Sequence, residues 1–209
     1  MSSSTRATRT IDLETPHGPA RAHLHIVAKP HGAVVLGHGA GGGVAAPDLL
    51  AATDAALEQR VAVALVEQPY RVAGRRSPAP AHQLDAAWVA VVEQLAGGPL
   101  AGLSLVTGGR SSGARVACRT AAASGAAGVI CLAFPLVPPR RAGNAPAASR
   151  LPELESVKVP VLVVQGVNDR FGMPPSGRLR TVVQVRGDHS LRSDRAAVRD
   201  AVGDWLRSL

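Results

Sequence analysis

The sequence is poor in aromatic residues, with two Trp, two Phe and one Tyr among 209 positions. Proteins that hold single-stranded nucleic acid stack bases on aromatic side chains, and that platform is missing here. Lysine is also scarce, since only Lys29 and Lys158 stand among 23 basic residues. The formal net charge of +8 therefore rests on arginines scattered from Arg6 to Arg207, with no nucleic-acid module signature beside them. This pattern reads as a compositional preference for Arg, and no nucleic-acid partner is expected. Cysteine is limited to Cys118 and Cys131, both in apolar stretches. Two such thiols make no disulfide framework in a chain this long and read as buried core residues. The first ten residues, MSSSTRATRT, contain no apolar segment that could direct export. One uncharged run, 120–139, reaches membrane-span length. Ser124-Gly125 interrupts it, and Pro135, Pro138 and Pro139 close it. A cytoplasmic protein without a membrane partner is expected.

What remains is abundant Ala, Val and Leu: 46% of residues are apolar and 18% charged, the balance of a globular domain. Strand patterns fall at 8–14, 20–27, 32–36, 60–66, 103–107, 128–134, 160–165 and 180–186. The first two flank Thr15-Pro16-His17-Gly18 and suggest a hairpin. Helical spacing follows at 47–57, 83–95, 112–123 and 192–209, the last with Val198, Val202, Trp205 and Leu206 on one side. Continuous apolar strands alternating with helices mean a largely parallel sheet covered on both faces. No repeat or internal boundary divides the chain. One domain over 1–209 is expected, with 1–7 flexible.

The chemistry centres on 103–117, LSLVTGGRSSGARVA. An apolar strand runs into Gly109-Arg110-Ser111-Ser112-Gly113 and a helix begins at once, which is the strand-turn-helix context that G-x-S-x-G requires. A nucleophile on so tight a turn has a strained backbone, and side chains two positions either side would collide with neighbouring elements. The new helix N-terminus adds partial positive charge where an oxyanion develops. Register selects Ser111, because centring on Ser112 would put Arg110 and Ala114 at the glycine positions.

Two further strands end in titratable residues. The run 161–172, VLVVQGVNDRFG, leads from a buried strand to Asp169, and 186–191, RGDHSL, leads from the next to His189. Nucleophile, acid and base thus follow in the order Ser111, Asp169, His189, each beyond the C-terminal end of a strand. In an open α/β sheet that edge is where sites form. Asp188 belongs to the turn of His189 itself and reads as a local hydrogen-bonding residue. His38 has the residue type of a base but sits in a His-Gly pair read as structural. His17, His23, His25, His31 and His82 read as surface or packing residues.

The strand at 32–36 opens into GHGAGGG, 37–43. Acyl transfer needs two N–H donors for the oxyanion. Ser112, which follows the nucleophile, supplies one and Ala40 in this loop the other, with glycines letting the backbone approach substrate. A phosphate cradle is the rival reading of such a loop, but neither the P-loop pattern nor G-x-G-x-x-G with an acidic partner is present.

With HGAGGG, GGRSSGARVA, VQGVNDRFG and GDHSL in this order, the chain resembles the α/β-hydrolase superfamily over nearly its whole length, closest to the small, lidless, dienelactone-hydrolase-like branch. The resemblance implies a three-layer sandwich on a mostly parallel eight-stranded sheet with an antiparallel N-terminal hairpin. It also implies esterase-like chemistry without a metal or organic cofactor. The chain departs from its relatives in two ways. Ser112 and Ala114 stand where they often carry a larger residue and a second glycine. Ser111 stands where dienelactone hydrolases carry cysteine, which argues against a dienelactone substrate. The segment 137–157 is too short for a substantial cap, so an open site for small esters or thioesters is expected. The alternative is a binding or scaffold protein on the same fold that has lost catalysis. Arg75, Arg76, Arg140 and Arg141 stand where they would reach the rim of such a site. They read first as solvated surface charges, and the alternative is that they select an acidic or polar acyl substrate.

Overall fold

The chain is described from a computed structural model over residues 7–138 and 148–209. Strands β1 (Ala7–Leu13) and β2 (Ala20–Ile26) form the expected hairpin, and β2 runs antiparallel to β4 (Val61–Glu67). Strands β3 (Gly32–Gly37), β5 (Ser104–Arg110), β6 (Gly128–Leu132), β7 (Val161–Gly166) and β8 (Arg180–Val185) complete one eight-stranded sheet in the order β1-β2-β4-β3-β5-β6-β7-β8, parallel from β4 onward. Ala7, expected in a flexible start, is the first residue of β1.

Four longer helices match the periodic segments: α1 (Pro47–Glu58), α3 (Ala81–Ala96), α4 (Ser112–Thr120) and α6 (Arg195–Arg207). Two short helices, α2 (Pro69–Val72) and α5 (Leu151–Glu155), lie in segments the sequence presents as irregular. Each is opened by a proline in its first turn, where the missing N–H costs nothing. They are too short for hydrophobic periodicity to register.

Strand alternation sorts the core into two faces. Val34, Leu36, Val63, Leu65, Leu162 and Val164 pack with α1 and α6. Ala33, Val35, Ala62, Ala64 and Val66 face the other way, against Leu84, Trp88, Val91, Val92 and Leu95 of α3. Their small size makes room for Trp88, the largest fully buried side chain. Under α4 and α5, Val129, Cys131, Val161 and Val163 meet Ala114, Ala117, Cys118 and Leu154. Each buried Leu, Val or Trp side chain contributes roughly 1.5–3 kcal/mol on transfer from water.

This wiring also fixes where a site can form. β3 lies between β4 and β5, and the chain leaves β3 into α1 on one face and β5 into α4 on the other. The crevice of an open α/β sheet lies where successive connections part in this way. Gly37 and Gly109, directly paired in the last register of β3 and β5, stand at its mouth.

Candidate active site

Ser111 occupies the step between β5 and α4 with φ +51° and ψ −106°. That conformation costs a non-glycine residue about 1–3 kcal/mol and persists only where the surroundings impose it. Its N–H is tied to the Leu132 carbonyl of β6 at 2.9 Å, and its carbonyl accepts from Arg115 N–H at 3.2 Å. The flanking glycines are obligatory for packing. A Cβ on Gly109 would stand 2.5 Å from the Gly37 carbonyl oxygen, and one on Gly113 would stand 2.4 Å from the same atom. The ends of β3 and β5 and the first turn of α4 therefore meet backbone to backbone.

His189 lies in the loop between β8 and α6, whose N-cap Asp194 accepts from Ala197 N–H. Its Nε2 is 2.9 Å from Ser111 Oγ and its Nδ1 is 2.8 Å from Asp169 Oδ2. With the Nδ1 proton given to the carboxylate, Nε2 is the ring's acceptor for the serine hydroxyl. Asp169, in the turn after β7, has its side chain 1% exposed. Gln165 Nε2 donates to Oδ2 at 2.8 Å and Phe171 N–H to Oδ1 at 2.9 Å. The Phe171 ring lies 4.3 Å from the His189 ring, tilted by 48°. Asp188 bonds only within its own turn among the described residues, accepting from Ser190 N–H and Ser190 Oγ. These contacts hold its carboxyl below the ordinary range, the Ser190 hydroxyl foremost.

The loop after β3 is anchored from two sides. His38 is buried, with Nδ1 2.8 Å from the Gly39 carbonyl oxygen and Nε2 accepting from Gln68 N–H at 3.1 Å. Both ring nitrogens are thereby engaged, and burial lowers the pKa of His38. Tyr70 donates its hydroxyl to the Ala40 carbonyl at 2.9 Å. Among the described residues, the N–H groups of Ala40 and Ser112 make no hydrogen bond to another loop. Cβ atoms built on Gly41, Gly42 and Gly43 would meet nothing within 4 Å, so this stretch borders open space.

The sequence-derived residues Ser111, Asp169 and His189 thus form one hydrogen-bonded chain, with Ala40 in the loop after β3 and Ser112 at the start of α4 beside it. Gln165, Phe171 and Tyr70 had no role assigned from sequence. Gln165 carries a usable signal, an amide next to last in an otherwise apolar strand and four residues before the acid, and the structure buries it fully. His23 contacts Thr10 and Glu67, and His31 contacts the Gln59 carbonyl, all away from Ser111. Arg75 and Arg76 are exposed, while Arg140 and Arg141 lie outside the described residues. Among the described residues, no three His, Cys, Asp or Glu side chains are placed to hold a metal ion. None of the described helices is long and apolar enough to cross a membrane.

The same architecture occurs widely among solved structures. Est1E from Butyrivibrio proteoclasticus superposes with a TM-score of 0.77 at 14% identity, covering 95% of this chain and 98% of its own. Dienelactone hydrolase from Anabaena variabilis gives 0.74 at 16% identity, covering 97% and 98%. XC6422 from Xanthomonas campestris, described as an α/β serine hydrolase without a lid, gives 0.68 at 21% identity, covering 95% and 94%. At these identities the likeness is one of fold. No curated protein matches the chain at a significant level. The family described as an alpha/beta hydrolase domain matches residues 30–203, most of the chain, and with the sheet order and elbow it shows that this protein belongs to the α/β-hydrolase family.

Proposed function

We propose that the protein is a serine hydrolase that cleaves small carboxylic esters or thioesters through an acyl-enzyme on Ser111. The observation that carries this reading is the continuous chain from Asp169 through His189 to Ser111 Oγ, at 2.8 and 2.9 Å. Ser111 attacks the substrate carbonyl carbon while His189 Nε2 takes its proton. Asp169 holds the ring in that tautomer and stabilises the imidazolium. The Ser112 and Ala40 N–H groups receive the oxyanion, assisted by the N-terminus of α4. The imidazolium protonates the departing alcohol or thiol. Water, deprotonated by His189, then attacks the acyl-enzyme, releasing the acid and restoring the serine hydroxyl.

Support also comes from the neighbours in fold. Est1E has been observed with ferulic acid bound, and the Pyrococcus furiosus protein Pf2001 and a domain of a Rhodothermus marinus protein are named esterases. The unlinked thiols of Cys118 and Cys131 suit a reducing compartment and so a cytoplasmic location. The test is a panel of p-nitrophenyl esters and acyl thioesters, with a fluorophosphonate probe, on wild type and Ser111→Ala. Turnover and labelling of wild type at Ser111, both absent from Ser111→Ala, are expected. A folded wild type that turns over no substrate and takes no label would instead mark a binding or scaffold protein on this fold.

A further inference from the structure

The residue just before the nucleophile, Arg110, sits in a position the motif leaves open, yet its side chain does not run into solvent. It folds back across the site and is 19% exposed. Its Nη2 donates to the His189 carbonyl oxygen at 2.9 Å. Its Nε lies 2.8 Å from Oδ2 of Asp48, a carboxylate with no exposed side-chain surface in the first turn of α1. Its Nη1 passes over Gly39, 2.9 Å from where a Cβ on that residue would stand. One guanidinium therefore lies against the loop after β3, the first turn of α1 that this loop leads into, and the loop of His189.

We propose that Arg110 is a positioning residue that locks the His189 loop to the Gly39–Asp48 segment and so keeps His189 in register with Ser111. Rigidity explains the choice of residue. Ser111 is fixed by the elbow, but His189 hangs from a loop, and its ring reaches Oγ only if that loop's backbone stays in place. Arg110 shares a peptide bond with Ser111, so anchoring the His189 carbonyl to it ties base to nucleophile by the shortest path. Asp48 faces the guanidinium from its Nε side. A buried carboxylate without a counter-charge is strongly disfavoured, so Asp48 keeps the arginine beside it. Lysine, a single point charge on a flexible stem, cannot span all three partners. Gly39 leaves the lane through which the side chain crosses. Because Asp48 offsets its charge, Arg110 fits the role of a brace better than that of a receptor for an anionic substrate.

This inference rests on the proposed hydrolase reading, and its test separates the two. Arg110→Ala leaves Asp48 buried without its counter-charge, so the double variant Arg110→Ala/Asp48→Asn is measured beside it. Both should lose about 100-fold in kcat with KM within about two-fold, as for a misplaced reacting group. Guanidinium ion at about 20 mM should return roughly tenfold of the loss in Arg110→Ala, where Asp48 can still hold it, but not in the double variant. Independently of turnover, the low-field proton resonance of the His189–Asp169 hydrogen bond should be sharp in wild type and broadened in the double variant. A folded double variant with kcat within about three-fold of wild type and an unchanged resonance would overturn the inference, leaving Arg110 only the neutralisation of Asp48. Should the single variant fail to fold, the double variant decides by the same two readouts. Wild type without turnover or label refutes the hydrolase reading instead, and the resonance still decides the brace.

Discussion

Gln165 gives its side-chain amide to Asp169, four residues further along, at 2.8 Å. The same nitrogen lies 3.1 Å from the Phe134 carbonyl oxygen and 2.9 Å from that of Gly172. Three oxygen acceptors around one atom assign the NH2 end of the amide to the side facing the acid, its two hydrogens shared among them. Gln165 thus sets Asp169, which sets the ring of His189.

Replacing Gln165 by Leu keeps the volume and removes the donor. Such outer partners of working groups typically contribute tenfold or more. We expect Gln165→Leu to lower kcat about tenfold and leave KM within about two-fold, because nothing that meets substrate has changed. Steady-state kinetics on an active ester would check this, and an unchanged kcat would refute the role. The substitution also takes this donor from the Phe134 and Gly172 carbonyls, and buried acceptors left unpaired cost about 1–3 kcal/mol, so melting alone does not decide.

Close packing at the elbow makes a sharper claim. A Cβ on Gly113 would lie 2.4 Å from the Gly37 carbonyl oxygen, 2.7 Å from the Gly37 carbonyl carbon and 2.9 Å from the His38 carbonyl oxygen. All three are backbone atoms at the end of β3 and the start of the loop carrying Ala40, so no side chain can swing away. Gly113→Ala should destabilise by about 3 kcal/mol or more, since it overpacks a site that cannot relax. Gly42→Ala, where a Cβ meets nothing within 4 Å, should fall within about 0.5 kcal/mol of wild type. Urea unfolding of the pair reads both values. Equal stabilities would show that the elbow has slack.

How far the sequence anticipates this arrangement depends on how local the signal is. Most of the parallel strands are legible because they are apolar runs buried on both sides, as in VLVVQG of β7, while β8 at the sheet edge is legible from its Val182, Val183 and Val185 although it is only partly buried. Ser111, Asp169 and His189 are legible because each follows such a strand and their order matches a known constellation. Arg110 and Asp48 are not, because 62 positions separate them and neither spacing nor residue type announces the contact. Asp48 reads only as a helix start, Tyr70 only as a loop residue. Phe171 is invisible for the same reason: its place against His189 follows from two turns meeting at the sheet edge. Helices α2 and α5 escape because four or five residues cannot display a 3.6-residue period.

Cys118 and Cys131 stand with their sulfurs 3.5 Å apart, joining α4 to β6 inside the core. Hydrogen bonding to Cys118 and then burial push the Cys131 thiol well above its ordinary pKa. Thiolate is the reactive species, so the native protein should react with a disulfide reagent such as DTNB only as fast as it opens. Two thiols should titrate promptly in denaturant. Prompt reaction of either in native buffer would contradict this packing.

His38 predicts how stability varies with pH. Its imidazole is buried, Nδ1–H donating to the Gly39 carbonyl and Nε2 accepting from Gln68 N–H. A second proton would have to enter at Nε2, breaking the bond to Gln68 and placing charge in the interior. Burial is the largest cause of the lowered pKa, with the Arg71 charge adding to it. The unfolded chain takes up that proton near the ordinary histidine value of about 6.5, while the folded chain takes it up only at lower pH. Below about 6.5 the unfolded state therefore binds more protons, and linkage makes stability fall as pH falls. The contribution is complete above that pH and is lost at up to about 1.4 kcal/mol per pH unit until the folded pKa is reached. A glutamine at 38 retains a donor and an acceptor but cannot titrate. Urea unfolding between about pH 5 and 8 should give a shallower pH slope for His38→Gln than for wild type, by up to about one proton. The remaining histidines and carboxylates contribute equally to both proteins and cancel in the comparison. Parallel profiles would mean that His38 accepts its proton in the folded state as readily as in the unfolded one, and that the bond to Gln68 does not hold the loop of Ala40.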